Sequence, residues 1–221
     1  MTIQKAKLVG YTQPSEEFKN HFSDLKELIA YCARVSNPSN QFNSKTADKL
    51  IQYLLDHKHY SPLEMASITI EVETTRDIAR QLLRHRSFTF QEFSQRYADP
   101  TGDLGFVLRE ARLQDTKNRQ NSLELSDDEQ SKLLITEWNR RQQEVIDLVT
   151  EHYNWAIENG IAKEQARSIL PEGNTKSRLY VQGTVRSFIH YIELRKANGT
   201  QKEHQELALA IADAIVKIFK I

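Results

Sequence analysis

The triplet Arg84-His85-Arg86 stands at the end of an apolar helical pattern, and Gln91, Glu92, Phe93, Ser94, Gln95 and Arg96 follow closely behind it. Residues 84–97 thus hold four potential cations, one acid, two amides and several hydroxyls, in a chain whose 30 basic and 30 acidic residues cancel. Guanidinium forks donate in plane to phosphate oxygens and to the polar edge of a flat ring, and hydroxyls complete such a site. A charge run of this kind is usually a solvated helix face. Here it is interleaved with Phe88, Phe90 and Phe93 and closes on Ser94-Gln95-Arg96-Tyr97, so an anion site is the favoured reading. Ser94 and Cys32 could be nucleophiles, but no Ser-His-acid spacing accompanies them. His57 and His59 suggest a metal pair without a third ligand, and no resident metal is expected.

The elements that must position these residues follow from periodicity. Residues 7–12 read as a first strand closed by Pro14, and residues 24–35 as a helix ending at Ser36-Asn37-Pro38. Residues 46–57 form a second amphipathic helix, of which His57 is a C-terminal residue. Residues 66–73 alternate and are β-branched, as in a strand with one wet face. Thr74 or Thr75 can cap a helix over residues 76–86, which would place Gln81, Arg84 and His85 on one face. Residues 98–130 are polar and aperiodic, a length of loop that is uncommon without a function. Residues 129–159 read as a long helix ending at Gly160, and residues 163–170 as a short one stopped by Pro171. Residues 178–182 suggest a strand, and residues 184–196 a helix. Residues 201–219 form a helix apolar on nearly every side, buried in its own core or in a subunit interface. The fold class expected is α+β: one domain over residues 1–221, with long helices around a small, mostly antiparallel sheet.

The bulk numbers narrow the function. A zero net charge argues against a general nucleic-acid or membrane-surface binder. The single cysteine, Cys32, lies in an apolar helical setting and reads as a small core residue. There is no apolar signal core at the N-terminus and no membrane-length apolar run. A soluble cytoplasmic protein is expected.

At Arg84-His85-Arg86, seven residues and then Ser94, the chain resembles the flavin-dependent thymidylate synthase family. Further stretches are similar to family landmarks, in family order: Ala33-Arg34-Val35-Ser36, His59-x-Ser61-Pro62-x-Glu64, Ala79-Arg80-Gln81, Ala166-Arg167-x-x-Leu170-Pro171, Val185-Arg186-Ser187 and Leu194-Arg195. The resemblance implies reductive methylation of dUMP to dTMP, with 5,10-methylenetetrahydrofolate as one-carbon donor and NADPH as reductant through bound FAD. It implies a homotetramer whose sites combine residues of several subunits. Ser36, Ser61, Glu64, Arg84, His85, Arg86, Glu92, Thr184, Val185, Arg186 and His190 would then meet FAD. Gln81, Arg84, Gln91, Glu92, Phe93, Ser94, Gln95, Arg96, Arg167 and Arg195 would meet dUMP, and His59 would border the flavin or folate. Arg195 would carry catalysis by favouring loss of the uracil N3 proton, which polarises C5 without an enzyme nucleophile.

The chain departs from the family in places. Thr184 and His190 stand where many members carry asparagine. A family histidine after the Leu-Arg pair meets Asn198-Gly199-Thr200, leaving its role vacant or filled by His204. The run 113–122 has no derived role beyond that of a lid. A reading from another class is a non-enzymatic nucleotide- or RNA-binding module using the same basic-aromatic stretch.

Overall fold

Alternation along two segments builds the centre of the molecule. The computed structural model describes residues 3–219. Strand β1 is Lys5–Tyr11, helix α1 Leu25–Ala33, α2 Ala47–Asp56, β2 Ser67–Thr75 and α3 Arg76–Leu82. Strand β3 is Thr89–Glu92, α4 Pro100–Asp103, β4 Arg112–Gln114, β5 Ser122–Glu124 and α5 Glu129–Glu158. Helix α6 is Lys163–Ala166, β6 Lys176–Thr184, α7 Val185–Arg195 and α8 Lys202–Ile215. The main sheet has the order β1-β2-β6-β3 and every pairing is antiparallel.

In β2, Ile68, Ile70 and Val72 point into the core and are fully buried. They face Gly183, Val181 and Leu179 of β6. The opposite face is wet, as the sequence predicts: Glu71 accepts a hydrogen bond from the Tyr180 hydroxyl at 3.0 Å, and Glu73 pairs with Arg178 at 3.3 Å.

The strands run directly into helices. β2 continues into α3 at one end of the sheet, and β6 continues into α7 at the other. Both helices bury their apolar faces in the same core, through Ile78, Ala79 and Leu82 and through Val185, Phe188 and Tyr191. Thr184 caps α7, its hydroxyl accepting from the Ser187 amide at 3.2 Å. Thr75 does not cap α3 in this way. The first amides of α3 donate instead to the carbonyls of Thr175 and Glu172, at 3.0 and 3.3 Å.

Helix α3 ends four residues earlier than periodicity predicts. The chain turns at residues 83–88 because Phe88 dives into the core against Phe188, with ring centroids 4.7 Å apart, before β3 joins the sheet edge. Gly183 makes room for it: a Cβ there would lie 2.4 Å from the Phe88 ring. Gly183→Ala is therefore expected to cost about 1–3 kcal/mol through overpacking, read as a lowered melting temperature. An unchanged melting point would show that Phe88 yields freely.

The long polar segment is structured. It holds α4 and a small hairpin, β4 on β5, both predicted only as loop. The last helix belongs to the chain's own core, where Leu207, Ala208, Ile211, Ala214 and Ile215 are buried. Cys32 is half-buried and burial raises its thiol pKa, which fits a packing residue.

Candidate functional site

The site residues fall into three groups. The first lies where the C-terminal ends of α3 and α7 meet. The guanidinium of Arg195, in the last turn of α7, donates from Nε to Nε2 of His85 at 3.0 Å. The last carbonyls of a helix favour a cation at this place. The His85 ring stands edge-on to Tyr191, centroids 4.9 Å apart, and to His204 of α8 at 6.3 Å. Gln81 joins through its Oε1, 3.2 Å from Nδ1 of His204. Gln81 and His85 therefore come together. Arg84, expected on their face, is instead exposed, because the helix has already ended at Leu82.

Burial sets the protonation of this group. Desolvation, helped by the Arg195 charge, lowers His85 to about 4 and His204 to about 3. Both imidazoles are neutral near pH 7, so Arg195 is the only cation of the cluster. Burial pushes the Tyr191 hydroxyl far up, so it stays a phenol.

The second group follows β3. Glu92 is held inside the fold: its Oε1 accepts from the Ser177 hydroxyl at 2.9 Å and pairs with the buried Arg76 at 3.5 Å. The Phe93 amide donates to the Arg178 carbonyl at 2.8 Å, continuing the strand for one residue. The amides of Tyr97 and Ala98 both donate to the Ser94 carbonyl at 3.1 Å, forming a tight turn around Ser94, Gln95 and Arg96. Gln95 is buried beneath it, and Gln91 is exposed on the strand. Arg96 pairs with Glu164 of α6 at 3.1 Å, and Lys163 donates to the Tyr97 carbonyl. Arg167 is the residue after α6, so the turn and Arg167 share one corner.

The third group surrounds the 3₁₀ turn Ser61–Met65. Glu64 is ion-paired with Arg186 of α7. His190 meets the Tyr60 ring edge-on at 4.5 Å, and Val185 is buried, its amide donating to the Ala66 carbonyl at 2.9 Å. Ser61 and His59 are exposed. Ser36 lines a separate cleft between α1 and α2, floored by Arg34, which donates to the Thr46 hydroxyl at 2.8 Å. His57 stacks on Tyr53 at the end of α2, as its helix C-terminal reading predicts.

The guanidiniums divide sharply. Arg76, Arg80, Arg96, Arg109, Arg112, Arg140, Arg141, Arg178 and Arg186 each have a carboxylate partner. Arg34 and Arg195 donate to neutral groups, and among the described residues the side chains of Arg84, Arg86, Arg119 and Arg167 form no ion pair and no hydrogen bond.

Three comparisons bear on this arrangement. A family model described as thymidylate synthase complementing protein matches residues 18–219. A probable flavin-dependent thymidylate synthase of Paramecium bursaria Chlorella virus 1 is 50% identical over 215 residues, 97% of this chain and 94% of that one. A flavin-dependent thymidylate synthase of Synechocystis is 45% identical over 213 residues, 96% of this chain and 94% of that one. This chain belongs to the flavin-dependent thymidylate synthase family. The fold agrees. The crystal structure of a UMP/dUMP methylase, PolB from Streptomyces cacaoi, bound with 5-Br dUMP superposes with a TM-score of 0.78 at 25% identity, over 99% of this chain and 92% of that one.

Of the first group, Tyr191 escapes the motif-based reading, and His204 enters it only as one of two outcomes for the vacant family histidine. Tyr191 lies one turn before Arg195 on an apolar helix face. His204 occupies an i, i+3, i+4, i+7 pattern with Leu207, Ala208 and Ile211, the signal of a core position. Their burial has a measurable consequence. Unfolded histidines titrate near 6.5, whereas His85 and His204 are held near about 4 and about 3. Below pH 6.5 the unfolded chain binds more protons, so this contribution to stability is complete above that pH and is lost as pH falls toward 4. The slope is at most about 1.4 kcal/mol per pH unit for each histidine, and less for the half-exposed His85. The melting temperature is expected to drop between pH 6.5 and 5, and His204→Leu should flatten that drop. Equal slopes in the two proteins would show that His204 does not contribute.

Proposed function

We propose that this chain methylates dUMP to dTMP, taking a methylene group from 5,10-methylenetetrahydrofolate and reducing equivalents from NADPH through FAD. One observation carries the reading beyond family membership: among the described residues the guanidiniums at the family positions 84, 86 and 167 have no carboxylate partner, a state shared outside the landmarks by the Arg119 side chain in the exposed 113–122 run, while most other arginines are ion-paired. An unpaired arginine suits a phosphate that arrives with the ligand. Arg84 and Arg86 fit the pyrophosphate of FAD. Glu64 and Arg186, beside His190, fit the polar edges of its ring system. When bound, FAD carries two electrons from NADPH toward the one-carbon unit.

The residues of the chain do the rest. Arg167, Arg96, the Ser94 hydroxyl and the Ser94 and Gln95 amides hold the dUMP phosphate. Glu92 acts on that stretch from behind, anchoring β3 through Ser177 and Arg76. Gln81 meets the uracil edge. Arg195 has its Nε committed to His85, which leaves its two terminal nitrogens for the base. Its charge favours the N3-deprotonated ring, raising electron density at C5. C5 bonds to the folate methylene carbon and loses its proton, and the two bonds from that carbon to the folate nitrogens break. A hydride equivalent from NADPH completes the methyl group, and the folate nitrogens regain two protons. The neutral His85 adds no competing charge.

The assembly proposed with this function is a homotetramer in which another copy completes the site. Helix α5 offers a surface for it. Its inner stripe (Ile146, Val149, Tyr153, Ala156) packs on the chain itself, while Leu134, Trp138, Val145, Leu148 and Trp155 remain exposed at heptad spacing. A reducing cytoplasm is the compartment this reading implies.

Purified protein is expected to be yellow, and to oxidise NADPH faster when dUMP is added. Protein that neither carries FAD nor takes it up would end this reading.

A further inference from the structure

Behind the Arg195 cluster, side chains from three segments form one directed chain of hydrogen bonds. It starts at Glu203, the second residue of α8, which is buried and accepts from Arg112 at 2.5 Å while pairing with Arg109 at 3.2 Å. Both arginines come from the segment 98–130. Glu203 also accepts from the side-chain amide of Gln201 at 3.0 Å. The oxygen of Gln201 then faces Gln81 and accepts from its Nε2 at 2.8 Å. The oxygen of Gln81 in turn faces Nδ1 of His204 at 3.2 Å.

Each link fixes the next. A carboxylate accepts only, and two arginines keep this one ionised. Gln201 must therefore present N–H to it and C=O to Gln81. Gln81 must present N–H to Gln201 and C=O to His204. His204 must then donate from Nδ1 and leave Nε2 bare. The structure agrees at the far end: Nε2 of His204 is buried and has no hydrogen-bond partner. With the proton on Nε2 instead, a buried N–H would lack an acceptor, and Nδ1 would face the lone pairs of Gln81.

We infer that Glu203, clamped by Arg109 and Arg112, is a positioning residue: it sets which way the Gln81 amide points and which tautomer His204 adopts. The spare N–H and lone pair of Gln81 are thereby offered in one orientation, the one that a substrate with an alternating carbonyl and N–H edge can read. This assigns the segment 98–130 a role as an anchor for the substrate site. It rests on the reading that Gln81 meets dUMP, but the relay can be tested without turnover.

The test is ¹⁵N NMR of the histidine rings in the full-length protein at pH 7.5. His204 is expected as a single Nδ1–H tautomer, and in Glu203→Gln as a mixture or as the reverse. A His204 signal from the Nε2–H form in the unaltered protein would overturn the relay whether or not the protein turns over dUMP. In kinetics, Glu203→Gln should raise the dUMP KM about tenfold, the weight of one hydrogen bond, with kcat changed less than threefold. A lowered melting point with an unchanged KM would reduce Glu203 to a structural role. Should Glu203→Gln fail to fold, His204 replaces it as the test. His204→Asn, which keeps a donor near the Nδ1 position, should retain the KM, and His204→Leu should raise it. Equal KM values for those two variants would refute the positioning role.

Discussion

Arg195→Ala is expected to lower kcat by about 10²–10³ while raising the dUMP Kd much less. In the proposed mechanism the charge that Arg195 meets develops during the reaction, so its loss would fall on the transition state more than on the bound ground state. A preorganised electrostatic donor of this kind contributes about 10²–10³ in kcat. The geometry adds a reason for preorganisation. The Nε–H bond to His85 at 3.0 Å fixes the plane of the guanidinium, and burial keeps His85 a neutral acceptor. Arg195→Lys should recover only part of the rate, because an ammonium cannot hold His85 through one nitrogen and present two others in the same plane. His85→Ala should leave the charge but release the plane, giving a smaller loss than Arg195→Ala. The measurement is single-turnover flavin reoxidation by dUMP and methylenetetrahydrofolate, with melting temperature as control. An Arg195→Ala protein that melts much earlier yet turns over normally would show that Arg195 merely closes α7 against the α3 end.

How far such an arrangement can be read from the chain depends on whether its causes are local. β2 and β6 are legible because Ile68, Ile70 and Val72, like Leu179 and Val181, alternate with polar residues against a single core face. The hairpin of β4 and β5 is illegible for the same reason reversed. Its strands are three residues long and almost wholly exposed, so no face imposes a period. The end of α3 is also non-local. Periodicity runs on to Arg84 and His85, but Phe88 must reach Phe188 and Gly183, which lie about a hundred residues away in sequence.

Site residues divide likewise. The Arg-His-Arg triplet and the Ser94–Arg96 turn announce themselves by composition, because clustered basic residues beside hydroxyls and aromatics suit an anion site. Glu92 carries the same outward signal, yet its partners, Ser177 and Arg76, make it a brace for β3. Thr184 is similar: its hydroxyl caps α7, which leaves the backbone and the neighbouring Arg186 as the parts facing outward. Glu203 shows the opposite error, and His204 is legible only as a candidate for the vacant histidine role. Both sit in a helix that reads as plain core, and the directed bonds through Gln201 tie them to Gln81.

Arg84→Ala and Arg96→Ala should separate the two anionic ligands. Among the described residues Arg84 has no carboxylate partner and is exposed, so a phosphate-bearing ligand would not have to displace one. Its removal is expected to weaken both FAD and dUMP, by about 2–5 kcal/mol where the ligand phosphate stays enclosed. Arg96 differs because Glu164 stands 3.1 Å from its guanidinium, with both side chains about half exposed. That carboxylate competes with an incoming phosphate, and in return holds the arginine near its working position. Arg96→Ala should therefore weaken dUMP and leave FAD nearly unchanged. Glu164→Gln tests the competition: it removes the rival charge but keeps a hydrogen-bonding neighbour, so dUMP should bind more tightly, with an effect that shrinks as salt is raised. Separate titrations with FAD and with dUMP decide the matter. Near-native binding of both ligands by both arginine variants would refute the assignment of these guanidiniums to phosphates, and weaker dUMP binding in Glu164→Gln would show that Glu164 positions Arg96 more than it competes for it.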